Sequence, residues 1–192
     1  MDLNAFYQSE FDEHKVVLDA TTDALFEPFS KLVEICADSV RAGGKLVLFG
    51  NGGSAADCQH IAAELSVRYI KDRAPIAAIA LTTDTSALTA IANDWSFDDL
   101  FARQVEALSK PGDVALAIST SGKSGNIIRG LNQAKEMGVV AAGFSGKGGG
   151  AMVGLCDPLL VVPSDITSRI QEMHITLGHM LCGALETELG LV

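Results

Sequence analysis

Five short apolar runs without polar alternation constrain the fold of this chain more than any other feature. They read KLVLFG, IAAIAL, VALAIS, VVAAGF and PLLVVP, at residues 45–50, 76–81, 114–119, 139–144 and 158–163. Strands that are apolar on both faces are typical of a parallel sheet covered by helices on either side. Segments with helical spacing lie between and after these runs, at residues 55–67, 86–92, 98–108, 126–137 and 168–189. The alternation predicts a doubly wound α/β sandwich.

Apolar residues at helical spacing also precede the first strand. They form two sets, Val17, Ala20 and Ala24, then Phe29, Leu32, Val33, Cys36 and Val40. We expect Pro28 to separate two helices, because proline lacks the N–H that a helix interior needs, and Gly43-Gly44 to end the second one. The sequence therefore predicts one domain over residues 1–192, with a helical leader at 1–42 and the sandwich at 43–192.

The composition disfavours several classes of partner. A net charge of -10 argues against nucleic acid and anionic membranes, because phosphate-bearing surfaces recruit basic patches. No apolar run approaches the roughly 20 residues that span a bilayer, and the acidic start MDLNAFYQSEFDEHK does not resemble a signal peptide. We expect a cytoplasmic protein.

The four scattered cysteines, which form no C-x-x-C pair, are expected to be buried thiols: Cys36, Cys58, Cys156 and Cys182.

The turn STSGKSGN, which follows the third predicted strand, carries four hydroxyl residues, namely Ser119, Thr120, Ser121 and Ser124. Each can donate a hydrogen bond, and the helix that follows offers free N–H groups and a partial positive charge. We predict that this turn holds a phosphate monoester. Neither G-x-x-x-x-G-K-[ST] nor G-x-G-x-x-G is present, so no nucleotide cofactor is expected. The alternative is a serine-rich helix cap, although four hydroxyls exceed what a cap requires.

Histidines and carboxylates are the candidates for proton transfer. His60 and Glu64 are four residues apart on a predicted helix, which places them on one face; a surface hydrogen bond is the alternative. His174 and His179 lie on the last predicted helix, where either one alone could have a core or interface role. His14 lies among acidic residues of the leader, and we expect it to be solvated and without a role.

Four motifs in this order resemble a known family: FGNGGSAADCQHIAAEL, LTAIANDWSFDDLF, AISTSGKSGN and SRIQEMH. Together they resemble the sugar-isomerase (SIS) fold and, more narrowly, the phosphoheptose isomerases, over nearly the whole chain. The resemblance implies a flavodoxin-like sheet of five parallel strands and a homotetramer with active sites at subunit interfaces. It also implies a phosphosugar bound by the serine-rich turn, and conversion of sedoheptulose 7-phosphate to glycero-manno-heptose 7-phosphate. That step leads to activated heptose for bacterial lipopolysaccharide or other surface glycans.

The same resemblance implies roles for individual residues. Glu64 corresponds to the base and His179 to the acid of an aldose–ketose isomerisation through an enediol. Some family members hold zinc, with ligands that correspond here to His60, Glu64, Gln171 and His179. The implied substrate contacts outside the serine-rich turn are Asn51, Gly52, Gly53, Ser54, Arg68, Asn93, Asp94 and Gln171. The chain departs from some relatives at Ser168, where an aspartate can contact the sugar.

The spacing of two implied ligands raises a geometric question. Gln171 and His179 are eight residues apart, which is about 12 Å along a helix, whereas each zinc ligand lies about 2 Å from its ion. The two side chains could lean together, or Gln171 could precede the regular helix. The third possibility is that the two residues reach different sites from different chains.

Two alternatives to this activity are open at the level of sequence. Some proteins with the same motif set are non-catalytic tetramers that bind the replication initiator protein. A binding scaffold needs neither the carboxylate of Glu64 nor the imidazole of His179, and this chain has both, so we favour the enzyme. The other alternative is isomerisation of a different phosphosugar.

Overall fold

A computed structural model describes all residues from 1 to 192 and contains one sheet of five parallel strands. The strands are β1 Leu46–Gly50, β2 Ala78–Ala80, β3 Val114–Ser119, β4 Val140–Ser145 and β5 Leu159–Val161. Their order across the sheet is β2-β1-β3-β4-β5. The register pairs Leu46 of β1 with Ala78 on one side and with Val114 on the other. This arrangement confirms the predicted doubly wound, flavodoxin-like sheet.

Six α-helices connect and cover the strands. They are α1 Leu3–Arg41, α2 Gly53–Ser66, α3 Thr85–Asp94, α4 Leu100–Leu108, α5 Gly125–Glu136 and α6 Thr167–Glu188. Short 3-10 segments at Phe97–Asp99 and Lys147–Met152 complete the connections. The core divides into two clusters, one beneath α1, α2 and α6 and the other beneath α3, α4 and α5. None of these helices is long and apolar enough to cross a membrane.

The two clusters explain why the strands lack polar alternation. Successive side chains of a strand point to opposite faces, so Leu46 and Leu48 of β1 enter the first cluster while Val47 and Phe49 enter the second. All four side chains are fully buried. A strand covered on both faces leaves no position where a polar side chain would meet water.

Pro28 does not separate two helices, and the prediction that it would is wrong. α1 is continuous over 39 residues with Pro28 inside it. The proline ring removes one intrahelical hydrogen bond, but Leu25 and Leu32 on either side are 6% and 0% exposed. The packing of this face against the core maintains the helix, because tertiary burial outweighs local propensity.

The four cysteines are free and buried, as predicted. Burial raises the pKa of the Cys36 thiol to about 12, and the thiols of Cys156 and Cys182 have similarly high pKa values. These groups therefore pack as small apolar side chains rather than as nucleophiles or ligands.

Candidate active site

The turns that follow β1 and β3 lie where the strand order reverses, and we call the space between them the crevice. Ligands bind at such switch points in open α/β sheets because the neighbouring connections leave on opposite faces. Here β1 leads into α2 on one face, and β3 leads into α5 on the other. The turn at Asn51 and Gly52 and the serine-rich turn at residues 119–124 form the two sides of this crevice. Gly52 has φ +56°, a conformation that a side chain would disfavour.

The serine-rich turn keeps its hydroxyl protons available for a ligand. Ser119 Oγ accepts a hydrogen bond from the Gly122 N–H at 3.2 Å, and Ser121 Oγ accepts one from the Lys123 N–H at 3.3 Å. Ser124 stands at the N-cap of α5, yet its side chain makes no capping hydrogen bond. The hydroxyls of Ser119, Ser121 and Ser124 therefore each keep a proton that could be donated to a ligand oxygen.

Contacts from β4, from the 3-10 segment Lys147–Met152 and, through Ser145, from α6 hold this turn from behind. Ser145 Oγ donates to the Ser119 carbonyl at 2.9 Å, and the Ala151 N–H donates to the Gly122 carbonyl at 2.9 Å. His174 lies 3.1 Å from the Ser145 carbonyl through Nε2. Since a carbonyl only accepts, this nitrogen carries a proton and donates to Ser145.

His174 is a core residue, in agreement with one of the two roles considered for it. Its side chain is fully buried, and its Nδ1 has no hydrogen-bond partner. Burial lowers the pKa of His174 to about 4, and the hydrogen bond to Ser145 offsets this shift only in part. The imidazole therefore stays uncharged at neutral pH and acts as a donor that joins α6 to the end of β4.

α2 and α6 lie side by side and bring the predicted acid and base together in one subunit. His60 Nε2 lies 2.9 Å from His179 Nε2, so the two rings share a proton. Glu64 Oε1 lies 3.7 Å from the same nitrogen of His60. Tyr69 stacks on His179 with ring centroids 5.8 Å apart. The cluster contains a carboxylate that can accept a proton and an imidazole that can donate one.

Asp57 belongs to the same helix face, and the sequence analysis did not identify it. Its carboxyl pKa is raised because of partial burial, while the nearby imidazoles of His60 and His179 act in the opposite direction. Asp57 is three residues before His60, and this spacing on one face of α2 was the signal that could have identified it.

Arg73 was also missed, and it holds the end of α2 that carries Glu64. Its buried guanidinium pairs with Glu186 at 2.8 Å and donates to the backbone carbonyls of Glu64 and Leu65 at 2.8 and 2.7 Å. Glu186 also accepts from the Tyr69 N–H at 3.2 Å. This buried pair fixes the backbone next to both Glu64 and Tyr69. This ion pair could not be predicted from the sequence, because Arg73 and Glu186 are 113 residues apart.

Several predicted site residues lie apart from these groups in a single subunit. Arg68 is exposed and pairs with Asp72 at 2.7 Å. Asn93 and Asp94, at the end of α3, are exposed and hydrogen bond only to each other, at 2.8 Å. Ser54 is buried in the first turn of α2. The structure of one subunit brings none of these four side chains into contact with the serine-rich turn.

Gln171 lies inside α6, which excludes the possibility that it precedes the regular helix. A Cβ atom added to Gly53 would lie 2.7 Å from Gln171 Nε2, so the Gln171 amide packs against the start of α2. Seven residues separate Gly53 from His60, which is about 10.5 Å along the helix. Gln171 and His179 therefore face different levels of α2.

His14 is not free in solvent, contrary to prediction. Its Nδ1 lies 2.8 Å from Glu172 Oε2 of α6. Glu172 also pairs at 2.7 Å with Arg169, a buried side chain that reaches Glu10 of α1 as well. The sequence analysis missed this contact because α1 and α6 meet only in the folded chain.

The donors near His60 fit zinc in type, but they do not form a complete site. Two zinc-bound nitrogens lie about 3.3 Å apart around a tetrahedral ion, and the two imidazole nitrogens are 2.9 Å apart. Glu64 would need to swing closer to become the third ligand. As positioned, no group of three or more histidine, cysteine or acidic side chains could hold a metal ion.

The sheet order and its switch point define a flavodoxin-like α/β domain, and a family comparison identifies the class to which this domain belongs. The SIS domain family matches residues 11–146. The match covers more than half of the chain and includes both turns of the crevice, together with the helix that carries His60 and Glu64. The protein is therefore an SIS domain protein.

Individual relatives identify a narrower family within the SIS domain proteins. The phosphoheptose isomerase of Paramagnetospirillum magneticum is 57% identical over 186 residues, which cover 97% of each chain. The solved structure of a phosphoheptose isomerase from Francisella tularensis superposes with a TM-score of 0.94 at 32% identity, covering 97% of this chain and 100% of that one. The corresponding structure from Neisseria gonorrhoeae gives 0.90 at 40% identity, covering 96% and 99%. The chain belongs to the phosphoheptose isomerases.

These relatives decide between two of the alternatives that the sequence left open. They are named as isomerases, and the chain is accordingly a sugar-phosphate isomerase rather than a non-catalytic scaffold. The Glu64, His60 and His179 cluster is compatible with this conclusion, since it contains a carboxylate and imidazoles, the groups that commonly transfer protons in enzymes.

Proposed function

We propose that the protein interconverts sedoheptulose 7-phosphate and D-glycero-D-manno-heptose 7-phosphate through an enediol. The observation that carries the proposal is the meeting of Glu64 and His179 around His60 within one subunit. The serine-rich turn, with its available hydroxyl protons, is the proposed anchor for the phosphate. This step would supply activated heptose for lipopolysaccharide or other surface glycans, and we propose that it occurs in the cytoplasm.

In the proposed mechanism Glu64 removes the proton from C1 of the ketose while His179 donates a proton to the C2 oxygen. Protonated Glu64 then returns its proton to C2 of the enediol, and the proton of the C1 hydroxyl passes to the pair of imidazoles, which gives the aldose and restores both groups. His60, hydrogen bonded to His179, can restore the proton that His179 gives up. Tyr69 and the backbone held by Arg73 keep the acid and base in position.

We propose that this cluster binds zinc through His60, Glu64 and His179, with Gln171 as the fourth predicted ligand, in a state distinct from the one in which Glu64 is a free base. The support is the type of donor and the close approach of the two imidazoles. When bound, the ion would polarise the substrate oxygens as a Lewis acid. Gln171 lies at another level of α2, and its participation requires a shift of its side chain or a residue from a second subunit.

We propose a homotetramer. α1 exposes a set of large apolar side chains, namely Leu3, Phe6, Tyr7, Phe11, Val16, Leu18 and Phe26. An apolar groove of about 150 Å³ between α1 and α6 continues this surface. Large exposed apolar surfaces on a globular protein support a protein–protein interface.

We further propose that each active site combines groups of two subunits. Glu64 lies eleven residues after Gly53, about 16 Å along α2 from the crevice. An extended seven-carbon chain is shorter, roughly 10 Å from the phosphorus to C1 at about 1.5 Å per bond. A neighbouring subunit that places its serine-rich turn near His179 would shorten this distance.

Deuterium exchange tests the reaction directly. The protein is incubated with sedoheptulose 7-phosphate in deuterated water, and we expect deuterium at the carbon next to the carbonyl together with the aldose product. Glu64→Gln should lose exchange and turnover but retain binding of the sugar phosphate, whereas Glu188→Gln at the surface should behave as wild type. If the protein catalyses deuterium exchange on an eight-carbon ketose phosphate but not on sedoheptulose 7-phosphate, the proposed substrate is wrong and the eight-carbon sugar takes its place.

Subunit mixing tests the shared sites. Glu64→Gln protein is mixed with Ser121→Asp protein, whose added charge repels phosphate, under conditions in which subunits exchange. We expect part of the activity to return, because some hybrid sites combine intact parts of two subunits. A mixture of Glu64→Gln with His179→Ala is the matched control and should stay inactive, since both residues belong to one subunit's cluster. Absence of recovery in the first mixture would assign each site to a single subunit.

A further inference from the structure

We propose that Asn126 is a positioning residue that fixes the phosphate-binding turn to the first turn of the crevice through Asn51. The two side chains form a reciprocal pair of amide hydrogen bonds. Asn51 Nδ2 donates to Asn126 Oδ1 at 2.9 Å, and Asn126 Nδ2 donates to Asn51 Oδ1 at 2.8 Å. The two residues are 75 positions apart in sequence and belong to opposite sides of the crevice.

The contact with Asn51 is the feature of the structure that explains why residue 126 carries an amide side chain. It is 1% exposed, although it lies in the first turn of α5, where asparagine is a poor helix former. Its side chain does not cap its own helix, because both of its hydrogen bonds go to Asn51. The amide therefore serves the contact between the two turns.

The pairing changes the role predicted for Asn51. Its amide faces Asn126 with both its donor and its acceptor, so its main contact is with protein rather than with sugar. The pair instead sets the separation of two groups of potential ligand donors. On one side are the hydroxyls of the serine-rich turn and the N–H groups that begin α5; on the other are Gly52 and Gly53, which begin α2.

Only an amide at both positions satisfies this geometry. A carboxylate accepts but does not donate, and a hydroxyl is too short to replace both bonds. Truncation of either residue leaves its partner with two unmet hydrogen bonds inside the crevice. The two residues should therefore act as one unit, with the second truncation adding little to the first.

The proposal rests on the proposed function in one respect, namely that the crevice binds a phosphate group. Its test uses titration calorimetry with inorganic phosphate, which does not depend on turnover. Asn51→Ala and Asn126→Ala should each weaken phosphate binding about tenfold, as expected for one or two lost hydrogen bonds. The double variant should also be weaker by about tenfold rather than a hundredfold. Asn132→Ala, an exposed asparagine on the same helix, should leave binding unchanged.

The outcomes separate this proposal from the isomerase assignment. Independent effects that multiply in the double variant, or unchanged binding in Asn126→Ala, would overturn the positioning role even if the wild type isomerises sedoheptulose 7-phosphate. Coupled losses of phosphate binding would support the role even if another phosphosugar proves to be the substrate. If the double alanine variant does not fold, serine at both positions gives the same cycle. Where turnover is measurable, KM should rise while kcat changes less than about threefold.

Discussion

Replacement of His174 by glutamine should flatten the acid dependence of stability. Burial lowers the pKa of His174 to about 4, below an ordinary value of 6.5. The unfolded chain therefore binds a proton on this residue at a higher pH than the folded chain does. The contribution of His174 to the free energy of unfolding is therefore complete above pH 6.5 and is lost as the pH falls from there towards 4. Glutamine does not titrate, and its amide can donate to the Ser145 carbonyl in place of Nε2.

The two pKa values set the size of the effect. Each pH unit between them costs about 1.4 kcal/mol. Lowering the pH from 7.5 to 5.0 should reduce the free energy of unfolding by about 2 kcal/mol through this residue alone. Titration through the full range between the two pKa values would reduce it by about 3 kcal/mol. A loss of about 2 kcal/mol is measurable, since total stabilities of 5–15 kcal/mol are usual for folded domains.

Urea unfolding at the two pH values measures this difference. Wild type and His174→Gln are compared at one fixed protein concentration, because self-association makes stability depend on concentration. We expect the variant to lose about 2 kcal/mol less than wild type between pH 7.5 and pH 5.0, and to resemble it in circular dichroism at pH 7.5. Equal losses in the two proteins would show that His174 does not stay neutral when buried, and would remove the argument for its donor role.

Three further predictions concern the site and its support. Ser119→Ala combined with Ser121→Ala should weaken phosphosugar binding by a few kcal/mol, since hydrogen bonds to charged groups contribute about 1.5–3 kcal/mol each; Ser30→Ala, at an exposed serine of α1, is the control, and unchanged affinity of the double variant in calorimetry would place the phosphate elsewhere. Arg73→Met should lower the free energy of unfolding by about 3–5 kcal/mol, because Glu186 would be left buried and unpaired; a loss no greater than in Arg103→Met at the surface would contradict that role. Protein purified without chelator should contain about one zinc per chain by elemental analysis, and His60→Ala should lose it; a metal-free wild-type protein with full activity would exclude the zinc proposal.

The sequence contained enough information for the layers of this fold, because burial on both faces of a strand leaves a direct pattern. The run VALAIS coincides with β3, β1, β2 and β5 fall inside their predicted runs, and β4 extends one residue beyond its run to Ser145. The prediction that Pro28 separates two helices was wrong because no local pattern reports tertiary packing. The helix continues through Pro28 because Leu25 and Leu32 are buried in a core that the local sequence does not show.

For the site, local motifs identified residues but not their partners. His60 and Glu64 could be paired from their spacing, whereas the contact of His60 with His179 spans 119 positions. Asn126 was not identified, although it ends the motif AISTSGKSGN, because its proposed role depends on Asn51 in another loop. Arg73 and Glu186 form a buried ion pair that no spacing rule connects.

The approach of α2 to α6 depends on a residue without a side chain. A Cβ atom added to Gly178 would lie 2.5 Å from Cδ1 of Ile61, so only glycine allows this contact without displacement of the core. Gly178 immediately precedes His179, and Ile61 immediately follows His60. The glycine therefore sets the distance at which the two imidazoles meet, while His174, five residues earlier on α6, holds the same helix to the phosphate-binding turn through Ser145. One helix thus fixes both the imidazole of His179 and the support of the serine-rich turn, so each subunit presents both halves of the proposed shared sites in a fixed geometry.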